Sequence, residues 1–212
     1  MTPSLPSRSL TTFAFALATV ACAGASRAPA SPTPEQRARA DSLRYPYTEA
    51  DIRFMSGMIS HHAQAIEMAK WAPSHGASAA VQRLSERIVN AQTDEIQAMQ
   101  AWLGDRNQPV PPADPKGMKM VMGGMQHVML MPGMLSEAQM KELGAARASE
   151  FDRLFLTFMI QHHRGAVTMV QELFSNRGAG QDETVFKFAS DVSVDQLTEI
   201  NRMTEMLLTL PG

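Results

Sequence analysis

From Thr48 onward, apolar side chains return every three or four residues, and the rhythm holds with few breaks to Leu210. That period belongs to amphipathic helices. It predicts one long helix from about Thr48 to Trp71, stopped by Pro73 and Gly76, and a second from about Ala77 to Leu103, stopped at Gly104. The stretch "GDRNQPVPPADPKG" reads as a loop. After it, "MLSEAQMKELGAARA" carries Ser136 and Gln139 at capping-box spacing and predicts a short helix. A third long helix is expected over roughly Ser149 to Ser175, before "NRGAG", and a fourth over roughly Asp182 to Leu210.

The last two long helices repeat the first two. Asp51, Phe54, Met58, His61, His62, Ala65 and Met68 align without a gap on Asp152, Phe155, Met159, His162, His163, Ala166 and Met169. On the partner helices "QTDEIQAM" from Gln92 matches "QLTEINRM" from Gln196. Two helix hairpins, each with an apolar stripe, bury those stripes best against each other. The expected fold is all-α, a four-helix bundle with approximate two-fold symmetry. The bundle is one domain over 45–210, with repeats at about 48–103 and 149–210 and a Met-rich connection plus the short helix between them.

The repeat matters because of what it repeats. Successive helical residues point about 100° apart, so His61 and His62 face different ways. Met58 lies one turn before both, at expected Cβ separations of about 5–6 Å. Asp51 shares one side of that helix and Met68 continues the other; Asp152, Met159, His162, His163 and Met169 reproduce the set. A lone histidine on an apolar stripe is ordinarily a packed residue with a hydrogen bond. Two adjacent pairs with the same methionine and aspartate offsets point elsewhere, because leucine would avoid the desolvation of four imidazoles. Metal binding gives that burial a purpose: imidazole suits copper, zinc, iron and nickel, and thioether sulfur selects copper(I) or silver(I). On the partner helices Glu95 and Glu199, with Gln92 and Gln196 one turn earlier, lie on or beside the apolar stripe. They are expected either to support a histidine or metal from behind, or to sit at the stripe's edge and reach water.

The motif "MI-x-HH-x-x-A" on a helix that begins near an aspartate, followed by "Q-x-x-E-I-x-x-M" and present twice, resembles the family of unknown function designated DUF305. The likeness extends from about Tyr45 to Leu210 and includes "PGMLSEAQMKEL". It implies a ferritin-like four-helix bundle, export from the cytoplasm, copper binding and copper tolerance. Residue by residue it implies metal ligation at Met58, His61, His62 and Met68, and at Met159, His162, His163 and Met169. Met55 has Leu156 in its place and is not counted.

Composition adds one further candidate. Of 17 methionines, eight fall between Met118 and Met140. Met118, Met122, Met125 and Met129 are spaced as one helical face would be, which suits hydrophobic cover for the bundle. Against that, Gly123, Gly124, Pro132 and Gly133 interrupt the segment and Met120 and Met131 fall off that face; Met118, Met120, Met122, Met125, His127, Met129, Met131 and Met134 suit instead a mobile loop that traps copper(I) or silver(I). Net charge is −2 and no basic stretch occurs, so nucleic acid is not an expected partner.

At the N-terminus, Leu10 to Ala21 is an apolar run too short to span a bilayer and reads as an export signal. The chain's one cysteine, Cys22, ends that run. It is expected to be a lipidated new N-terminus over 23–44 as a flexible tether, giving a membrane anchor; ordinary cleavage after Ala23 or Ala30 is the alternative. Soft ligands must then come from methionine and histidine. An exported protein that sequesters or hands on copper, as copper(I) or copper(II), or silver is the leading expectation, and not an enzyme: no nucleophile or phosphate-loop motif occurs. A ferritin-like di-iron or di-manganese oxidoreductase would need Glu-x-x-His on two helices, and neither histidine pair has it. A module with purely structural histidines is the third possibility.

Overall fold

The computed structural model describes residues 47–210, together with 32, 33, 35 and 36. Cys22, the expected export signal and nearly all of the expected tether lie outside them. Four long helices, α1 (Glu49–Lys70), α2 (Ala79–Asp105), α4 (Ala148–Ser175) and α5 (Glu183–Leu208), form the bundle, and α3 (Glu137–Ala145) is short. α1 packs on α2, α4 packs on α5, and α1 meets α4 between the two hairpins.

Helix starts follow local chemistry. Thr48 and Asp51 form a reciprocal capping box on α1, Ser136 and Gln139 form another on α3, and Ser78 and Asp182 cap α2 and α5. The two aspartates at equivalent positions of α1 and α4 also tie the hairpins together. Asp51 accepts a hydrogen bond from the Gly180 amide at 2.7 Å, just before α5, while Asp152 accepts from the Ser78 amide at 3.1 Å, at the start of α2.

The buried apolar side chains fall into two clusters. One joins the C-terminal half of α1 and the start of α2 to the N-terminal half of α4, with Met68, Leu84, Phe155 and Met159 among its members. The other joins the N-terminal half of α1 and the end of α2 to the C-terminal half of α4 and the start of α5, and holds Phe54, Met58, Met169 and Val185. α1 and α4 therefore run in opposite directions. Between the clusters lies a polar layer, and both histidine pairs are in it.

The methionine-rich connection is neither a mobile loop nor a helical face. It is an antiparallel hairpin of β1 (Met118–Met122) and β2 (Met125–Met129). Gly123 and Gly124 form its two-residue turn with φ of 60° and 81°, the doubly left-handed geometry that glycine adopts without strain. After β2 the chain turns at Met131–Met134 and lies directly on α4. A Cβ on Gly165 would fall 1.9 Å from the Pro132 carbonyl oxygen, so only glycine allows this contact. Gln64 of α1 grips the next residue at both ends: its Oε1 accepts from the Leu135 amide at 2.6 Å and its Nε2 donates to the Leu135 carbonyl at 3.1 Å. Gln64 and Gly165 occupy equivalent places after the two histidine pairs. Where the two copies differ, the connection docks.

Candidate metal centre

His61, His62, His162 and His163 are all completely buried. α1 and α4 bring His61 and His162 face to face in the middle, with ring centroids 3.8 Å apart, and His62 and His163 stand outside them at 6.1 and 6.3 Å from their neighbours. The outer pair turns toward the partner helices. His163 Nε2 donates to Glu199 Oε2 at 2.8 Å. His62 Nε2 lies 2.8 Å from Glu95 Oε2, off the line of a hydrogen bond. In the inner pair, His61 Nε2 is 3.0 Å from the Pro132 carbonyl.

A carbonyl or carboxylate oxygen can only accept, so His61 and His163 carry their proton on Nε2. When neutral, each then keeps a bare lone pair on Nδ1. The Nδ1 atoms of all four histidines are buried without a hydrogen-bond partner, and so is Nε2 of His162. An orphaned buried polar atom costs about 1–3 kcal/mol, so a layer with this many is not built for stability. Charge does not reside on the inner pair. Burial, and then the neighbouring His62, holds His61 well below the ordinary imidazole range; burial, and then His61, does the same for His162. Neutral imidazoles are the form that binds metal.

The surroundings support the rings as an outer layer around a metal would. Glu95 and Glu199 stand behind the outer histidines and reach the surface, with Arg87 3.6 Å from Glu199. Gln92 and Gln196 are buried beside them; neither nitrogen nor oxygen of Gln92 has a partner, and Oε1 of Gln196 has none. Asp195 joins this flank unannounced by the repeat, since its counterpart is Ala91. Partial burial and the carboxylates of Glu95, Asp191 and Glu199 raise its carboxyl above the usual range.

Other expected ligands are placed differently. Asp51 and Asp152 are ten residues from the histidines, about 15 Å along the helix, and are spent on helix starts and hairpin-to-hairpin bonds. They do not share the histidine patch. The methionines regroup across the two copies: Met58 and Met169 lie in one apolar cluster, Met68 and Met159 in the other. Met58 and Met68, also ten residues apart, cannot serve one ion. Among the hairpin residues, His127, Met125 and Met129 are exposed, whereas Met131 is half-buried and Met134 buried at the turn. The Pro132 carbonyl was not foreseeable as a histidine partner, although the glycine at 165 in mid-helix marks where something approaches closely. Met131, Pro132, Phe54 and Met169 line a cavity of 190 Å³ beside the layer. Among the described residues no three or more histidine, cysteine, aspartate or glutamate side chains are grouped so that they could hold a metal ion together.

Comparison with known proteins bears on this arrangement. Residues 51–207 match the family described as "Domain of unknown function (DUF305)". A DUF305 protein assigned as secreted, from Streptomyces coelicolor, is similar in structure with a TM-score of 0.62 and 29% identity, over 75% of this chain and 92% of that one. A DUF305 fragment from Deinococcus radiodurans gives 0.61 and 30%, over 76% and 97%. CopM in its Cu(I)-bound form gives 0.58 and 26%, over 79% and 100%, and CopM is also similar in Cu(II)-bound, Ag-bound and apo forms. An uncharacterized protein of Acanthamoeba polyphaga mimivirus is 34% identical over 56 residues, which is 26% of this chain; the match spans little more than a third, 37%, of that relative's length.

Proposed function

The chain belongs to the DUF305 family, and from that premise we propose that it is an exported protein that takes copper, as copper(I) or its analogue silver(I), into the histidine layer and so sequesters or hands on the metal. The observation that carries this reading is the set of four buried Nδ1 atoms without partners, on rings of which three turn Nε2 toward an oxygen acceptor. Metal-ligating histidines characteristically have one nitrogen free for the ion and the other held by a carboxylate or carbonyl. A fold relative that exists in copper- and silver-bound forms supports the choice of metal.

Burial favours the singly charged ion. The penalty for placing an ion in a low-dielectric interior rises steeply with its charge, and apolar clusters close the layer on both sides. Monovalent copper and silver also accept few ligands, which suits imidazoles presented in twos. His61 and His162 would hold the ion at the centre, with His62 and His163 beside them and Glu95 and Glu199 orienting the outer rings. Methionines 58, 68, 159 and 169 supply a soft apolar lining. In this reading the two hairpins are copies of one metal-binding unit, the protein carries metal rather than catalysing a reaction, and Cys22 anchors it to a membrane.

The test is the double variant His61→Leu, His162→Leu. Leucine removes the central ligands and their unpaired nitrogens together. Copper(I) affinity in competition with a chromogenic chelator should fall more than roughly 100-fold, while the metal-free protein gains about 1–3 kcal/mol in stability. A destabilised variant with unchanged copper(I) affinity would make the histidines structural.

A further inference from the structure

The hairpin of β1 and β2 carries the chain's densest run of thioethers, and the histidine layer uses none of them. Its register pairs Met118 with Met129, Met120 with His127, and Met122 with Met125. Residues two apart on a strand share a face, and directly paired residues share it too. Met118, Met125, His127 and Met129 therefore fall on one face of the ribbon, and Lys119 and Val128 on the other.

Hydrophobic cover does not explain this face. Met125 is 66% exposed and Met129 41%, and His127 is exposed beside them. Side chains that filled a core gap would be buried, as Met134 is at the turn beyond. On the opposite face Lys119 Nζ pairs with Asp114 at 3.0 Å, and Val128 is exposed. Cross-strand partners on such a ribbon have Cβ atoms about 4.5–5.5 Å apart. Two metal–sulfur bonds of about 2.3 Å, by analogy with zinc, need sulfurs within about 4.6 Å of each other, and flexible methionine side chains on neighbouring positions can reach that separation. Thioether sulfur is soft and uncharged, so it selects copper(I) or silver(I) over harder ions.

We propose that the methionine face of the hairpin is a second, surface site for a soft monovalent ion, with hairpin thioethers, those of Met125 and Met129 among them, and the imidazole of His127 as its donors. It is independent of the histidine layer: its ligands lie on different elements, and binding there needs no buried group to be uncovered. β2 ends two residues before Met131, whose turn holds His61, so the two sites stand on one continuous stretch of chain.

Silver(I) is the probe, because it has no redox chemistry to complicate the titration. With methionine methyl groups labelled in the full chain, the five hairpin methyl resonances should move on silver(I) addition, while that of Met140, off the face, stays in place. A variant with leucine at Met118, Met120, Met122, Met125 and Met129 and with His127→Gln should bind this silver at least tenfold more weakly. Its helical circular dichroism and histidine-layer silver should be unchanged. The His61→Leu, His162→Leu variant should show the converse, keeping the hairpin shifts, so failure of one site is distinguishable from failure of the other. Hairpin methyl signals that stay fixed, or silver binding to the hairpin variant as tight as to wild type, would overturn the proposal.

Discussion

An imidazole buried with one nitrogen unpaired is an unusual use of a histidine, and its consequences can be measured before any metal is added. His61 and His162 are held below the ordinary imidazole range, chiefly by burial. The sign of the effect on stability follows. At a pH between the folded and unfolded values, the unfolded chain binds more protons than the native one, so acid favours unfolding. The contribution is complete above about pH 6.5, the unfolded value, and is lost as pH falls toward the lowered folded values. Metal-free protein should therefore lose stability below that pH, at up to about 1.4 kcal/mol per pH unit for each imidazole. Urea denaturation across pH 7.5 to 5 checks this. The His61→Leu, His162→Leu variant should show a flatter profile, and an equal slope in both proteins would place the protons elsewhere.

At the level of elements, the helices are legible from a 3.6-residue stripe, a glycine or proline stop and, for all but α4, a capping Thr48, Ser78, Ser136 or Asp182. The hairpin leaves a pattern in the sequence too. Methionine or histidine at every second position on both sides of a Gly-Gly pair is a hairpin pattern. The four-three-four spacing of Met118, Met122, Met125 and Met129 imitates a helix and obscured it. Thr48-x-x-Asp51 is likewise a capping pattern, and it explains why Asp51 serves the start of α1 rather than the histidines. What no local pattern could reveal is the docking of the Met131–Met134 turn on Gly165, because that contact joins distant parts of the chain. Gly165→Ala tests its importance. The added Cβ would meet the Pro132 carbonyl oxygen at 1.9 Å and its carbon at 2.4 Å, both backbone atoms that cannot rotate away. The turn must lift and release His61 Nε2. The variant should lose about 1–3 kcal/mol or more of stability and bind copper(I) more weakly. Unchanged thermal unfolding and affinity would show that the turn is dispensable.

Across the whole molecule, the bundle is two apolar halves separated by one polar layer, with α1 and α4 crossing where their histidines meet. Sequence alone located that layer through its repeated motif. It could not show how the layer is shared, because each apolar half combines segments from both hairpins. The same exchange moves Met58 next to Met169 rather than Met68. No helix among the described residues is long and apolar enough to cross a membrane. The most direct measurement is of the imidazole nitrogens themselves. Long-range nitrogen–proton NMR distinguishes a protonated, a bare and a metal-bound ring nitrogen in each histidine. Before metal, His61 and His163 should carry the proton on Nε2 and show a bare Nδ1. On addition of silver(I) to saturation, Nδ1 resonances within the set His61, His62, His162 and His163 should shift to metal-bound values, while Nε2 of His61 and His163 stays protonated. His75, whose two ring nitrogens are already occupied by Ser74 and the Gly144 carbonyl, should not change. Silver(I) that leaves all four of these Nδ1 resonances where they were would contradict a metal centre in the histidine layer.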